Sequence, residues 1–199
     1  MPVQSRELYL TFDDGPIPGP TEYVLEQLHR AKAKATFFCI GNNVRKHPEV
    51  FKKILEHGSV VGNHTYDHLS GWRTGIAPYL ENVNMCAAEL QRYLPPTGHP
   101  VQVANKSESP LFRPPYGRIT RSQIKSLAAF KIVMWDVLTN DYARNLSPED
   151  CLRETLAATR PGSIVVFHDS FKAERNMRYA LPRFLDHFGG LGYSFKCMS

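Results

Sequence analysis

Short runs of consecutive apolar residues alternate, from one end of the chain to the other, with segments whose apolar positions recur at helical spacing. The runs predict strands over 8–12, 35–40, 59–63, 111–113, 131–137, 163–167 and 193–197. Several are nearly continuous hydrophobic runs, as expected for parallel strands covered on both faces. The intervening helices carry readable signals. Thr21 is placed to cap a helix with the stripe Val24, Leu25 and Leu28. Pro48 suits a first helical position ahead of Val50, Phe51, Ile54 and Leu55, and Gly58 suits the stop. Thr120 and Gln123 have capping-box spacing, and Ser147-Pro148-Glu149-Asp150 opens another helix with acids at its positive end. A long helix is expected over 76–94. The proline-rich stretch 95–110 reads as a surface loop or small insertion. Near the C-terminus Met177, Leu181, Phe184, Leu185 and Phe188 share a helical face, and Pro182 is expected to kink or restart that helix.

Seven such β/α units make an α/β fold: a small TIM-barrel-like structure related to the (β/α)8 type, with an open doubly wound sheet as the alternative. The 199 residues suffice for one substantial core and not for two ordinary domains, so 1–199 reads as a single domain. A 42% hydrophobic, 22% charged composition is that of a globular protein, and no apolar stretch reaches the length of a membrane span. The seven residues up to Glu7 leave no room for a signal peptide, so the chain is either cytoplasmic or a trimmed piece of a secreted protein. The net charge of +5 comes from scattered basic residues without an arginine-rich arm, which argues against nucleic acid as a partner. The four cysteines form no CxxC pair; Cys39 reads as a buried small hydrophobe, and nothing in the spacing requires disulfides. Nothing signals a symmetric interface, and a monomer is the default.

The chemistry gathers where the apolar runs end. Asp13 and Asp14 follow the first run in Thr11-Phe12-Asp13-Asp14-Gly15-Pro16. Two adjacent carboxylates repel unless a cation or base compensates, which suggests that one binds metal and the other takes a proton; Asp13-Asp14-Gly15-Pro16 is also good turn chemistry. His64-Thr65-Tyr66-Asp67-His68 spaces two histidines i, i+4, which on a helical turn lets both imidazoles reach one divalent ion. Two histidines and one aspartate leave positions open for water and substrate. Phe112-Arg113-Pro114-Pro115-Tyr116-Gly117 is a stiff turn in which Arg113 can grip a carboxylate and the Tyr116 N–H can serve an oxyanion. Asp141 and His168 end two further runs, and a histidine oriented by a carboxylate is a general acid or base near neutral pH. Trp135 and Phe167 read as core.

With these motifs in this order, the chain resembles the polysaccharide deacetylase family, carbohydrate esterase family 4, over nearly its whole length. The resemblance implies a distorted (β/α)7 barrel and one catalytic divalent metal, zinc first, with cobalt or nickel as alternatives. It makes Asp13 the catalytic base, Asp14, His64 and His68 the metal ligands, and His168 the general acid. Arg113 would orient Asp13, and the Tyr116 N–H would help form the oxyanion site. The fourth motif departs from the family pattern: Leu138 stands where an aspartate is usual and Tyr142 where a tryptophan is usual. Asp141 can still orient His168, with Asp136 the weaker substitute. Val166-Phe167-His168 replaces the usual Leu-x-His at the pocket for the acetyl methyl.

The expectation is a metal-dependent N-deacetylase acting on an acetylated glycan, a β-1,4-linked N-acetylglucosamine polymer or oligomer. The alternatives are an O-acetyl esterase, for example on xylan, an amidase on a small non-sugar amide, and a catalytically silent carbohydrate-binding protein on the same scaffold.

Overall fold

The computed structural model describes residues 6–94 and 109–198. The stretch read as a proline-rich loop therefore lies outside the described residues, apart from its last two. Eight parallel strands form one sheet: β1 (Glu7–Asp13), β2 (Thr36–Cys39), β3 (Val60–Asn63), β4 (Leu111–Phe112), β5 (Lys131–Ile132), β6 (Val137–Leu138), β7 (Ile164–His168) and β8 (Ser194–Lys196). Their order is β5-β4-β3-β2-β1-β7-β6, with β8 paired to β1. The helices are α1 (Pro20–Arg30), α2 (Gly41–Lys46), α3 (Pro48–Glu56), α4 (Ile76–Gln91), α5 (Arg121–Ser126), α6 (Pro148–Ala158) and α7 (Glu174–Gly190). None is long and apolar enough to cross a membrane.

This is the distorted (β/α)7 barrel, and two features account for its distortion. The run 131–137 is not one strand. Its first residues pair with β4, where the Val133 N–H also donates to Phe112 O (2.9 Å), and its last pair with β7, where the Asp136 N–H donates to Ile164 O (3.0 Å). The chain itself thus crosses from one edge of the sheet to the other, and the wall there has no continuous ladder. At the opposite end β8 pairs with Glu7–Tyr9 while β2 pairs with Thr11–Asp13, so β8 enters beside the first half of β1 and β2 beside the second.

Alternation along the strands sorts the two faces. Phe12 lies in register with Phe37 of β2 and Phe167 of β7, and its ring stacks on theirs at 5.1 and 6.0 Å. Phe184 of α7 covers Phe167 edge-on. These fully buried rings form the layer between sheet and helices, where each contributes about 2–3 kcal/mol of burial. Thr11 and Asp13 face the other way, into the barrel, as does Phe38, which clusters with Val60, Leu111 and Val133.

The helix signals were read well in part. Thr120 and Gln123 form the reciprocal capping box, and the Ser147 hydroxyl accepts from Asp150 N at 3.0 Å. Pro48 is the first residue of α3, and Gly58, with φ 74°, follows its end. Thr21 is not a cap. It lies inside the first turn of α1, and its hydroxyl accepts from Ile17 N and donates to Asp169 Oδ2 (2.6 Å). Pro182 does not break α7, which runs unbroken from Glu174 to Gly190. A proline leaves the carbonyl four residues earlier without its helical donor. Here that carbonyl belongs to Arg178, and it accepts from the Tyr23 hydroxyl of α1 at 3.0 Å.

Candidate active site

Parallel strands deliver their C-terminal ends to one rim. Register places Asp13 opposite both Phe38 and His168, and Asn63 opposite Phe112, so His64 and Arg113 follow side by side. All eight residues singled out in the sequence meet at this rim. The backbone there is unusual: of the six non-glycine residues with positive φ among the described residues, five are Asp14 (87°), Thr65 (63°), His68 (59°), Tyr116 (61°) and Asn140 (54°). Such angles cost of order 1 kcal/mol each and persist only where the surroundings fix them.

Asp13 is the last residue of β1 and points into the barrel, 4% exposed. Arg113, with no exposed surface, reaches it across the seam between β5 and β6. Its Nη1 donates to Asp13 Oδ1 at 2.8 Å and Thr11 Oγ1 at 2.7 Å. Its Nε and Nη2 donate to the carbonyls of Val133 (3.2 Å) and Met134 (3.0 Å). These are seam carbonyls, and the guanidinium supplies the donors that a closed ladder would have provided. The Phe38 ring lies 4.1 Å from the guanidinium carbon. Burial alone would raise the Asp13 pKa, but the charge and hydrogen bond of Arg113, with the His168 charge, outweigh it and hold the group below the usual carboxylate range.

Asp14 turns away from the strand through its left-handed backbone. Its carbonyl accepts from Asn43 Nδ2 at 2.7 Å, and its Oδ1 lies 3.3 Å from His68 Nε2 and 3.9 Å from His64 Nε2. The histidine segment is a loop and not the helical turn anticipated from the i, i+4 spacing; the two rings are brought together at 5.1 Å by the positive φ of Thr65 and His68. Asparagines fix that loop. Asn63 Oδ1 accepts from Thr65 N, and Asn82 Oδ1, reaching down from α4, accepts from Tyr66 N and Asp67 N. His64 Nδ1 contacts Arg113 O at 2.8 Å, which fixes the ring and leaves Nε2 toward Asp14. Ligand atoms of Asp14, His64 and His68 lie within 4.8 Å of one another, and among the described residues this is the group able to hold a metal ion. Burial lowers the pKa of both histidines, that of His68 to about 4, so both present the neutral imidazole a metal requires.

On the facing side, His168 Nδ1 pairs with Asp141 Oδ1 at 2.8 Å, and the His168 N–H donates to Asp141 Oδ2 at 2.8 Å. One carboxylate therefore fixes both the backbone and the ring of His168. Asp136 lies elsewhere, accepting from Ile164 N. Burial pulls the His168 pKa down, but the charge and hydrogen bond of Asp141, with Asp14 and Asp13 behind it, push it up to about 9. The protonated form of His168 is therefore favoured at neutral pH, opposite the Asp13 carboxylate. Tyr142 meets the His168 ring edge-on at 4.9 Å, and the Tyr116 ring stands 4.6 Å from His68.

Asp169, the residue after His168, escaped the sequence reading. It is completely buried, and burial pushes its pKa up to about 8. Its carboxyl accepts from Gly15 N (2.9 Å) and from the Thr21 hydroxyl. It tethers the turn that carries Asp14, and a Cβ on Gly15 would overlap its carboxylate. The signal was the glycine at that position. Asn82, a polar residue on the inner face of α4, was the comparable sign for the histidine loop.

Residues 1–135 match the polysaccharide deacetylase family model. A peptidoglycan-N-acetylglucosamine deacetylase of Bacillus cereus (strain ATCC 14579) is 34% identical over 171 residues, which cover 85% of this chain and 58% of that protein. A chitooligosaccharide deacetylase of Bradyrhizobium sp. (strain ANU 289) is 34% identical over 169 residues, covering 84% of this chain and 72% of that one. A solved peptidoglycan N-acetylglucosamine deacetylase, in complex with 4-naphthalen-1-yl-N-oxidanyl-benzamide, superposes with a TM-score of 0.86 at 30% identity, covering 99% of this chain and 88% of its own.

Proposed function

This chain belongs to the polysaccharide deacetylase family, and from that premise we propose that it is a metal-dependent hydrolase removing acetyl groups from glycans that contain N-acetylglucosamine. Its relatives are named for deacetylation of peptidoglycan and of chitooligosaccharides, which supports this substrate class. What supports the reading most is one arrangement. A carboxylate held ionised, a three-ligand metal group and a histidine held protonated converge at the same rim.

Asp14, His64 and His68 fit a divalent ion: two neutral nitrogens and one carboxylate oxygen, leaving positions for water and substrate. We take the ion to be zinc, with cobalt or nickel as alternatives suited to the same donors. When bound, it supplies a Lewis acid that polarises a carbonyl and acidifies water. The chain's own residues do the rest. Asp13, steered by Arg113, accepts a proton from the water whose oxygen attacks the amide carbon. The Tyr116 N–H donates to the developing oxyanion, an interaction worth several kcal/mol in comparable sites. As the C–N bond breaks, His168, held by Asp141, gives its proton to the leaving amine, and acetate departs. In this reading residues 1–199 form one catalytic domain acting as a monomer.

The test separates the acid from the base. Asp13→Asn should abolish turnover while leaving the metal ligands intact. His168→Ala should damage amide cleavage far more than cleavage of an acetate ester, because an alcohol leaves with less protonation than an amine. Near-wild-type turnover in Asp13→Asn would refute the base assignment. Equal losses on amide and ester in His168→Ala would refute the acid.

A further inference from the structure

A groove of about 370 Å³, lined by His68, Leu69, Ser70, Arg73, Thr74, Tyr116 and Arg118, opens beside the metal-ligand group, within the size range of small-ligand sites, about 300–1,000 Å³. His68 and Tyr116 belong both to it and to the rim described above, so it is continuous with the active site. Its lining contains Arg73 and Arg118 and no carboxylate. Both arginines are exposed, and no ion pair among the described residues involves either.

The groove is also ordered in advance. The Arg118 guanidinium lies over the Trp72 ring at 5.2 Å, and the indole N–H donates to Ile119 O at 3.3 Å, which fixes the ring that carries it. Trp72 and Tyr116 are 65% and 60% exposed, and large aromatics left in water beside a cleft are characteristic of recognition surfaces. Ser70, also in the wall, has a buried hydroxyl without a hydrogen-bond partner among the described residues. Two unpaired guanidinium groups, with their planar forks of donors, match a carboxylate. A neutral polymer of N-acetylglucosamine offers them no anion.

We propose that this groove is an anion subsite: Arg73 and Arg118 take a carboxylate carried by the sugar next to the one being deacetylated. This rests on the deacetylase reading and narrows its substrate to an acidic glycan, one in which N-acetylglucosamine alternates with a carboxylate-bearing sugar, as in a peptidoglycan strand. The carboxylate is the lactyl group's own where the muramyl residue carries no stem peptide, and the peptide's where the lactyl carboxyl is taken up in the amide that joins them.

The experiment compares kcat/KM for acetate release from three substrates of equal length: peptidoglycan strands with stem peptides, the same strands stripped of them, and N-acetylglucosamine oligomers. Wild type and Arg73→Gln/Arg118→Gln are measured side by side. The ratio of acidic to neutral substrate is read, so a general loss of folded protein cancels. The expectation is an acidic preference in wild type that shrinks about tenfold in the double variant, and that also shrinks with salt. A preference for stripped strands alone assigns the lactyl carboxylate, which the amide masks in the others; a preference for peptide-bearing strands alone assigns the peptide; a preference for both shows that the subsite takes either. A wild-type ratio near one, or one unmoved by the double substitution, overturns the subsite. If wild type releases acetate from none of the three, the deacetylase reading fails separately, and the groove is judged by equilibrium binding of the same strands. Tighter acidic than neutral binding, lost in the double variant, would uphold it, and equal binding would reject it.

Discussion

Asp141→Asn removes one charge and leaves the shape of the site nearly unchanged. Burial alone would depress the His168 pKa, and the Asp141 carboxylate at 2.8 Å is the foremost influence raising it to about 9, from 6.5 for an ordinary histidine. Without that charge, burial dominates, and the imidazole should titrate at or below the ordinary value. At about pH 8 the protonated fraction then falls from about nine-tenths to about 3%, a loss of proton donor near 30-fold. The raised value also links to stability. A histidine whose folded pKa exceeds its unfolded one stabilises the fold fully below the unfolded pKa, near 6.5, and this is lost as pH rises through about 9. The shift corresponds to about 3 kcal/mol in the metal-free protein. The assay is imidazole titration by NMR in metal-free protein, with His168 assigned by substitution, alongside urea unfolding at about pH 6 and about pH 9.5. Wild type should lose stability across that interval, and Asp141→Asn should lose much less. A wild-type His168 titrating near 6.5, or an unchanged midpoint in Asp141→Asn, would refute the reasoning.

Three further outcomes follow from single contacts. Arg113→Ala leaves Asp13 buried without its counter-charge and two seam carbonyls without donors, so chemical denaturation should register a loss of about 3–5 kcal/mol. Gly15→Ala forces the Asp169 tether apart and should weaken zinc binding, measured by chelator competition, by about 10–100-fold. Tyr23→Phe removes the donor that serves the Arg178 carbonyl and should cost about 1 kcal/mol in wild type but less in a Pro182→Ala background, where the helix supplies its own N–H; the denaturation double-mutant cycle reads the difference.

The sequence was most legible where one signal acts locally. Apolar runs ending in charged residues marked the strand ends, and because parallel strands share a polarity, marking the ends was enough to collect Asp13, His64, Arg113 and His168 at one rim. It was least legible where a partner far along the chain decides. The run 131–137 looks like one strand, yet β4 claims its start and β7 its end, and no local pattern carries that division. Pro182 is tolerated because of a tyrosine about 160 positions earlier, which no helix rule anticipates. Thr21 looked like a cap because Ser and Thr usually are caps; Asp169 had a prior claim on its hydroxyl. The histidine pair was found by its spacing, although loop backbone rather than a helical turn brings the rings together.

The measurement that tests the central claim most directly is acetate release from N-acetylglucosamine oligomers and peptidoglycan by chelator-treated protein, with and without added zinc. The account predicts no release from the stripped protein, restoration by zinc, and no restoration in His68→Ala. Release that persists after complete metal removal, or its absence with zinc demonstrably bound, would contradict it.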